Sequence, residues 1–443
     1  MTDDATTTDT ARQPELPGDD RPVDTWRDRL GREHAESRPT RRGGEPVWER
    51  VAGPLETAWS VPADRAKLAE EALSRPNPLV ATDADGAVWT WVVPEPDARA
   101  VLLWLNADFP HDDVAAAELT RLAGSDLWTI SLRLPAELRT SYRIAAWRDA
   151  DDPPWRRATG RRPVILAAMG AAGLDPRGAD VVGGSRGETS SVAAGPAAPA
   201  EPWREGPRHR PAASRVEPLE LGAGERAWTI VPEHHAGPTR LLVLFDGQVW
   251  LDGVGLPALL DEAVARRHVE PLHVVLLDSH DTDTRWDRLG VPGGQVDVVL
   301  DRILPAARAR YDVDPRGEAT IVAGQSLGGI AAAWTIALAQ GEVQHAIAQS
   351  PSLWRFDVAE ALLAEPAWRS LSLSAGSREG HMLDDARALE ARLRADPRLA
   401  SRSVHLAALT AGHDWASWRA DLLSALAGLP PHEQVPNRPY GTP

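Results

Sequence analysis

The stretch Thr320-Ile321-Val322-Ala323-Gly324-Gln325-Ser326-Leu327-Gly328-Gly329 constrains the fold more than any other. A short apolar run ends in Gly-x-Ser-x-Gly, and an alanine-rich segment, Ile330 to Leu338, follows directly. Strand, sharp turn, then helix is the context of a nucleophile elbow. The turn is tight, so the residues two before and two after the serine must lack bulk, a need that Gly324 and Gly328 meet. The hydroxyl of Ser326 is then raised above the end of a sheet. The N–H of Leu327 is aimed at the same space, at the positive end of the new helix. The competing explanation is a chance match in a glycine-rich chain. The flanking strand and helix patterns weigh against it.

A chain of 443 residues is too long for one compact core, so two folded domains with flexible ends are expected. There is no cysteine, which excludes disulfides, thiol catalysis and cysteine metal sites. The N-terminus lacks the basic and apolar regions of a secretory signal, and no apolar run is long enough to cross a membrane. A cytoplasmic protein is expected. The formal charge of −16 argues against non-specific nucleic-acid binding. Neither a nucleic-acid nor a membrane partner is expected, and the oligomeric state is open. Tryptophan is over-represented, 18 against 3 Tyr and 3 Phe, and most of it is expected to be packing.

Residues 1–45 are rich in Asp, Thr, Arg, Pro and Gly without apolar periodicity, and read as a disordered acidic tail. Residues 46–182 read as a β-sandwich domain. After one short helix at Pro62 to Ser74, strands are predicted at Ala87–Val93, Ala100–Leu105, Leu127–Leu134 and Ser141–Trp147, separated by polar turns. Residues 183–215, rich in Gly, Ala, Pro and Ser, read as a linker. In residues 216–428 short apolar runs alternate with helical patterns, which predicts a mostly parallel sheet with helices on both faces, an α/β-hydrolase architecture. Its active site would lie at the carboxyl ends of the strands. Residues 429–443 read as a Pro-rich tail.

A serine hydroxyl needs a base, and in this fold the order is Ser, acid, His. Of the histidines well beyond Ser326, His413 fits best: it follows the predicted strand Val404–Leu409 in Thr410-Ala411-Gly412-His413. His405 lies within that strand and His432 in the tail. The acid should follow the strand Leu371–Ala375. Glu379 is nearest, with Asp384 and Asp385 as alternatives better suited to capping the next helix. Glu379 can also be read as the partner of Arg378, and a backbone group can orient the histidine instead. The second oxyanion donor is assigned to Gly247, in the loop after an early strand, where glycine allows close approach. Arg285 is placed to grip an anionic substrate, or else pairs with Asp281 or Asp287. Asp278, His280, Asp281 and Asp283 match no metal signature.

Together these residues resemble the ferric enterobactin (enterochelin) esterase family. The likeness runs in family order through Leu244-Phe245-Asp246-Gly247-Gln248-x-Trp250, Asp281-Thr282-x-x-Arg285, Val322-Ala323-Gly324-Gln325-Ser326-x-Gly328-Gly329, Gln349-Ser350-x-Ser352-x-Trp354, Ala375-Gly376-x-Arg378-Glu379 and Gly412-His413-Asp414-x-x-x-Trp418-Arg419. It extends more thinly to Pro78-Leu79-Val80, Ser141-Tyr142-Arg143 and Asp175-Pro176. The family often has Glu at the position of Ser374. The resemblance implies an immunoglobulin-like N-terminal sandwich and a cytoplasmic serine esterase that opens the trilactone of a catecholate siderophore. It implies Ser326 as nucleophile, His413 as base, Glu379 as acid, Gly247 and Leu327 as oxyanion hole, and Arg285 against the catecholates. Trp250, Trp354, Trp415 and Trp418 are candidates to stack on catechol rings. No cofactor is expected; iron would arrive with the substrate. The rival readings are a feruloyl or carbohydrate esterase on the same fold and a non-catalytic siderophore-binding protein.

Overall fold

The computed structural model describes residues 25–37, 49–83, 86–107, 109–204, 213–365 and 367–432. The expectations for residues 1–24, 38–45 and 433–443 lie outside these.

The N-terminal domain consists of two sheets that share one core. One sheet orders its strands as Val181–Gly183, Thr189–Ala194, Arg139–Trp147 and Ala100–Leu105. The other runs Glu49–Arg50, Leu127–Leu134, Gly86–Pro94 and Leu79–Asp83. Side chains from both inner faces meet there, among them Trp89, Trp91, Leu103, Ile130 and Tyr142. The four long strands stand where the sequence predicts them, but Gly86–Pro94, Ala100–Leu105 and Leu127–Leu134 are buried along nearly their whole length rather than on one face alone.

The linker reading of 183–215 is corrected. Thr189–Ala194 is an internal strand, antiparallel both to Val181–Gly183 and to Arg139–Trp147. Its sequence, TSSVAA, consists of small residues with little apolar signal, yet Ser190, Ser191, Val192 and Ala193 are buried. Trp203 is buried as well. Just past the strand the chain runs so close to its neighbour that a Cβ on Gly195 would stand 2.1 Å from the carbonyl oxygen of Ala136.

The C-terminal domain is built on one eight-stranded sheet. We label its strands β1 (Arg215–Pro218), β2 (Ala227–Val231), β3 (Arg240–Leu244), β4 (Leu272–Leu277), β5 (Thr320–Gln325), β6 (His345–Gln349), β7 (Ser370–Gly376) and β8 (Ser403–Leu409). The order is β1-β2-β4-β3-β5-β6-β7-β8, parallel from β4 onward. β5 is buried throughout, as expected of a parallel strand covered on both faces. The helices that matter for the site are α1 (Leu256–Ala265), α2 (Thr282–Arg288), α3 (Leu327–Leu338), α4 (Met382–Ala395) and α5 (Trp415–Ala427). The sheet order, with its reversal at β3 and β4, is that of an α/β-hydrolase.

Part of the segment read as a disordered tail is ordered. Thr25–Arg27 and Glu33–Ala35 form a hairpin on the C-terminal domain. Asp28, buried at the turn, accepts the N–H groups of Leu30 and Arg32 at 2.9 Å each. Trp26 packs against the main core, and the ring of His34 stands edge-on to Trp334 at 4.8 Å. Arg29 reaches Asp301 at 2.7 Å. These partners lie hundreds of residues away, so local periodicity carried no trace of them. At the other end, Arg240 holds the carbonyl of Pro430 at 2.5 Å and His432 holds Asp314 at 2.9 Å.

The two domains meet through a buried ionic cluster. Arg419, on α5, donates to Asp180 at 2.7 Å and to Glu201 at 3.1 Å. Arg139 donates to Glu201 at 2.6 Å, and Arg204 closes on Asp180. Burial alone would raise the Asp180 carboxyl, but Arg204 and Arg419 outweigh it and hold the group at about 2. Its folded value lies below the unfolded one, so its stabilisation is present above pH ~4 and is lost as pH falls through the folded value. We expect the fall in unfolding free energy between pH ~4 and pH ~2 to be smaller by roughly 2 kcal/mol in Asp180→Asn. Equal acid sensitivity in both proteins, measured by denaturant titration, would contradict this.

Candidate active site

β5 delivers Ser326. The serine has φ 59° and ψ −118°, and α3 begins at the next residue. The turn is as tight as the sequence demands: a Cβ on Gly324 would stand 2.5 Å from the carbonyl carbon of Gly328. The N–H of Ser326 is tied to the carbonyl of Gln349 on β6, and its carbonyl accepts from Ser352 at 3.0 Å. Its hydroxyl oxygen stands 3.5 Å from that of Ser352. Three further non-glycine residues at the carboxyl ends of the strands have positive φ: Asp246, His280 and Ser350. Such clustering of strained backbone is characteristic of functional sites.

β7 delivers Glu379 and β8 delivers His413. The Nδ1 of His413 lies 2.9 Å from Oε2 of Glu379. The carboxylate is 1% exposed, whereas the imidazole is 41% exposed. Oε1 of Glu379 accepts from the N–H of Gly376 at 2.6 Å and from the hydroxyl of Ser350 at 2.7 Å. The Ser350 hydroxyl in turn accepts the indole N–H of Trp418 at 2.9 Å. Trp418 completes the circuit by standing edge-on to the His413 ring, centroids 4.6 Å apart. A carboxylate only accepts, so Nδ1 of His413 carries a proton and Nε2 of the neutral ring carries the lone pair. Asp385 instead pairs with His381 at 2.6 Å, and Asp384 with Arg387 at 3.1 Å. Neither caps α4, whose N-cap is His381.

A second buried network lies beneath the serine. Asp246, fully buried, accepts both Nε and Nη2 of Arg285 at 2.7 and 2.8 Å, and the amide of Gln325 at 2.6 Å. Gln325 accepts the indole N–H of Trp250 at 3.1 Å. Burial opposes charge on Arg285, but the field of Asp246 prevails and raises its pKa. Of the carboxylates weighed for Arg285 in the sequence, neither Asp281 nor Asp287 is the partner: Nε and Nη2 are held by Asp246. Asp281 caps α2 through the N–H of Thr284. Asp278 pairs with Arg226 and His280 with Glu225.

Gly247 follows β3 as expected, and the neighbouring strand also demands glycine there. A Cβ there would fall 2.4 Å from the backbone of Leu276, so the neighbouring strand β4 excludes any side chain. The tryptophans divide. Trp250 and Trp418 are buried and their indole N–H groups are used internally, so they offer no ring face to a ligand. Trp354 and Trp415 are half-buried. Trp415 packs edge-on against both Trp250 and Trp418, each at 5.4 Å. Trp354 stacks on Trp286, centroids 5.9 Å and planes 30° apart. Sequence reasoning missed Trp286. The Arg355 guanidinium lies 4.2 Å from the Trp286 ring centroid and donates to the carbonyls of Trp286 and Leu289. Trp286 stood next to Arg285 in the motif, which was the available signal.

We expect Asp246→Ala to lower the unfolding free energy by about 3–5 kcal/mol, because it leaves the Arg285 charge without its partner. A loss below ~1 kcal/mol by chemical denaturation would show that the pair is dispensable.

Comparison with known proteins gives the same architecture. The family model of the enterochelin esterase N-terminal domain matches residues 88–204, and the Esterase family model matches residues 225–429. The iron(III) salmochelin esterase of Escherichia coli is 28% identical over 386 residues, covering 81% of this chain and 92% of that one. The iron(III) enterobactin esterase of Dickeya dadantii is 28% identical over 399 residues, covering 80% and 90%. The crystal structure of the ferric enterobactin esterase from Salmonella typhimurium superposes with a TM-score of 0.71 at 23% identity, covering 81% and 98%.

Proposed function

We propose that this chain, a member of the enterochelin esterases, hydrolyses the ester bonds of a catecholate trilactone siderophore through Ser326, His413 and Glu379. The observation that carries the residue assignment is the 2.9 Å contact between the exposed His413 ring and the buried Glu379 carboxylate, two strands from the elbow. Glu379 fixes the tautomer and offsets the charge that His413 gains. Nε2 of His413 takes the proton of Ser326 as its Oγ attacks a lactone carbonyl. The N–H groups of Leu327 and Gly247 receive the oxyanion. The intermediate collapses, the C–O bond of the ester breaks, and the imidazolium protonates the leaving seryl alkoxide. Water, deprotonated by His413, then releases the acyl group.

The stacked pair of Trp286 and Trp354 suits a catechol ring, since both rings are partly exposed and the loop of Trp354 is tied to Ser326 through Ser352. The positive charge of Arg355 behind Trp286 adds attraction for an electron-rich ring system. Iron belongs to the substrate in this reading, and the enzyme acts in the cytoplasm. No helix among the described residues is long and apolar enough to cross a membrane. The N-terminal sandwich is taken to be immunoglobulin-like.

Purified protein should cleave ferric and iron-free trilactone siderophore, and Ser326→Ala or His413→Ala should lower kcat by roughly 10^4-fold or more. Undiminished turnover by Ser326→Ala would refute the nucleophile. Trp286→Ala should raise KM for the siderophore by about 10-fold while leaving p-nitrophenyl acetate turnover within twofold, because stacking on a ring is worth ~1 kcal/mol or more. An equal change on both esters would refute the ring contact.

A further inference from the structure

We propose that the N-terminal sandwich is a working part of the catalytic apparatus, because it clamps the loop that carries His413. This rests on His413 as the base. The loop between β8 and α5 is held from two sides. From within the hydrolase, the N–H of Ser377 binds the carbonyl of Leu409 and that of Arg378 binds the carbonyl of Ala411. From the sandwich, five contacts fall on the intervening and following residues. The N–H of Arg139 donates to the carbonyl of Thr410 at 3.3 Å. The backbone of Ala107 lies so close to Gly412 that a Cβ there would stand 2.7 Å from its Cα. The side-chain amide of Asn106 donates to the carbonyl of His413 at 3.1 Å. The N–H of Ser141 donates to Oδ2 of Asp414 at 2.5 Å, with the hydroxyl of Thr140 at 3.2 Å.

Asp414 is the hinge of this arrangement. It is 1% exposed and is the N-cap of α5, with Oδ1 accepting the N–H of Ala416 at 2.9 Å. One carboxylate thus joins a sandwich strand to the first turn of the helix that carries Trp418, against which the His413 ring rests. Arg419, one residue further along α5, enters the ionic cluster with Asp180 and Glu201. The sandwich therefore grips α5 at both Asp414 and Arg419. Glu379 orients the imidazole ring, whereas Asn106, Asp414 and their sandwich partners set the backbone from which the ring projects. They touch neither substrate nor the reacting atoms, so they are positioning residues. The catalytic cost of misplacing a base by a fraction of an ångström is steep.

The chemistry of Asp414 makes it specific. Every group around its carboxylate donates, so an amide in its place turns an NH2 toward a donor. Full-length Asp414→Asn and Asn106→Ala should each lower kcat on p-nitrophenyl acetate by about 10- to 100-fold. KM should stay within twofold. Phosphonylation of Ser326 by a small fluorophosphonate, which needs His413 but is too small to reach the sandwich, should slow by the same factor. Asn106→Ala removes a single hydrogen bond from a half-buried site, so its thermal midpoint should stay close to that of the parent and keep the test valid if Asp414→Asn folds poorly. Normal kcat and normal phosphonylation in Asn106→Ala, with His413→Ala inactive, would overturn the clamp and leave the triad intact. A His413→Ala protein with normal turnover would overturn both. A loss expressed only in KM would assign these residues to substrate binding and also overturn the clamp.

Discussion

The carboxylate of Glu379 is buried beneath the exposed imidazole of His413, and the arrangement around it decides what the site can do. A buried carboxylate is costly unless its oxygens are satisfied. Here one oxygen takes the N–H of Gly376 and the hydroxyl of Ser350, and the other takes Nδ1 of His413. Because these donors come from the end of β7, the loop after β6 and the loop after β8, satisfying the charge also fixes these segments relative to one another. The 41% exposed imidazole is thereby held in one tautomer without being enclosed. Trp418 contributes twice, once through its N–H to Ser350 and once as the surface on which His413 rests.

Beneath the elbow a second charged pair does comparable structural work. Asp246 and Arg285 are joined by a bidentate contact, and Gln325 and Trp250 extend the network along β5 to the far side of the sheet. Gln325 directly precedes Ser326, so the network holds the backbone that leads into the elbow. Asp246 immediately precedes Gly247, whose lack of a side chain is imposed by β4. The strained φ of Asp246 is held in place by hydrogen bonds on its own side chain.

Much of this was legible in the sequence, and the residues that were not share a physical cause. Ser326 could be read because a nucleophile elbow is local: strand, glycines and helix lie within a few positions. His413 and Glu379 could be placed because each follows its strand closely and the strand order is constrained. The hydrolase strands matched because buried parallel strands are continuous apolar runs. What escaped depends on contacts distant in sequence. The pairing of Arg285 with Asp246 spans 39 positions, and that of Ser141 with Asp414 spans 273. The hairpin at Thr25–Ala35 carries few apolar residues, and its order comes from Asp28 and from a surface supplied by α3. The strand Thr189–Ala194 is built from small residues that satisfy packing without a hydrophobic pattern. Trp250 and Trp418 were read as ring surfaces because sequence shows residue type and loop, not which way an indole turns.

The central claim is that Ser326 becomes acylated with the help of His413. Reacting the protein with trilactone siderophore, quenching in acid and digesting it for mass spectrometry tests this most directly. The account predicts an adduct of a catechoyl-serine unit, or its oligomer, on the peptide that carries Ser326, reduced in Glu379→Gln and absent in His413→Ala. Turnover of the siderophore with no adduct on that peptide, or with the adduct on another residue, would contradict it.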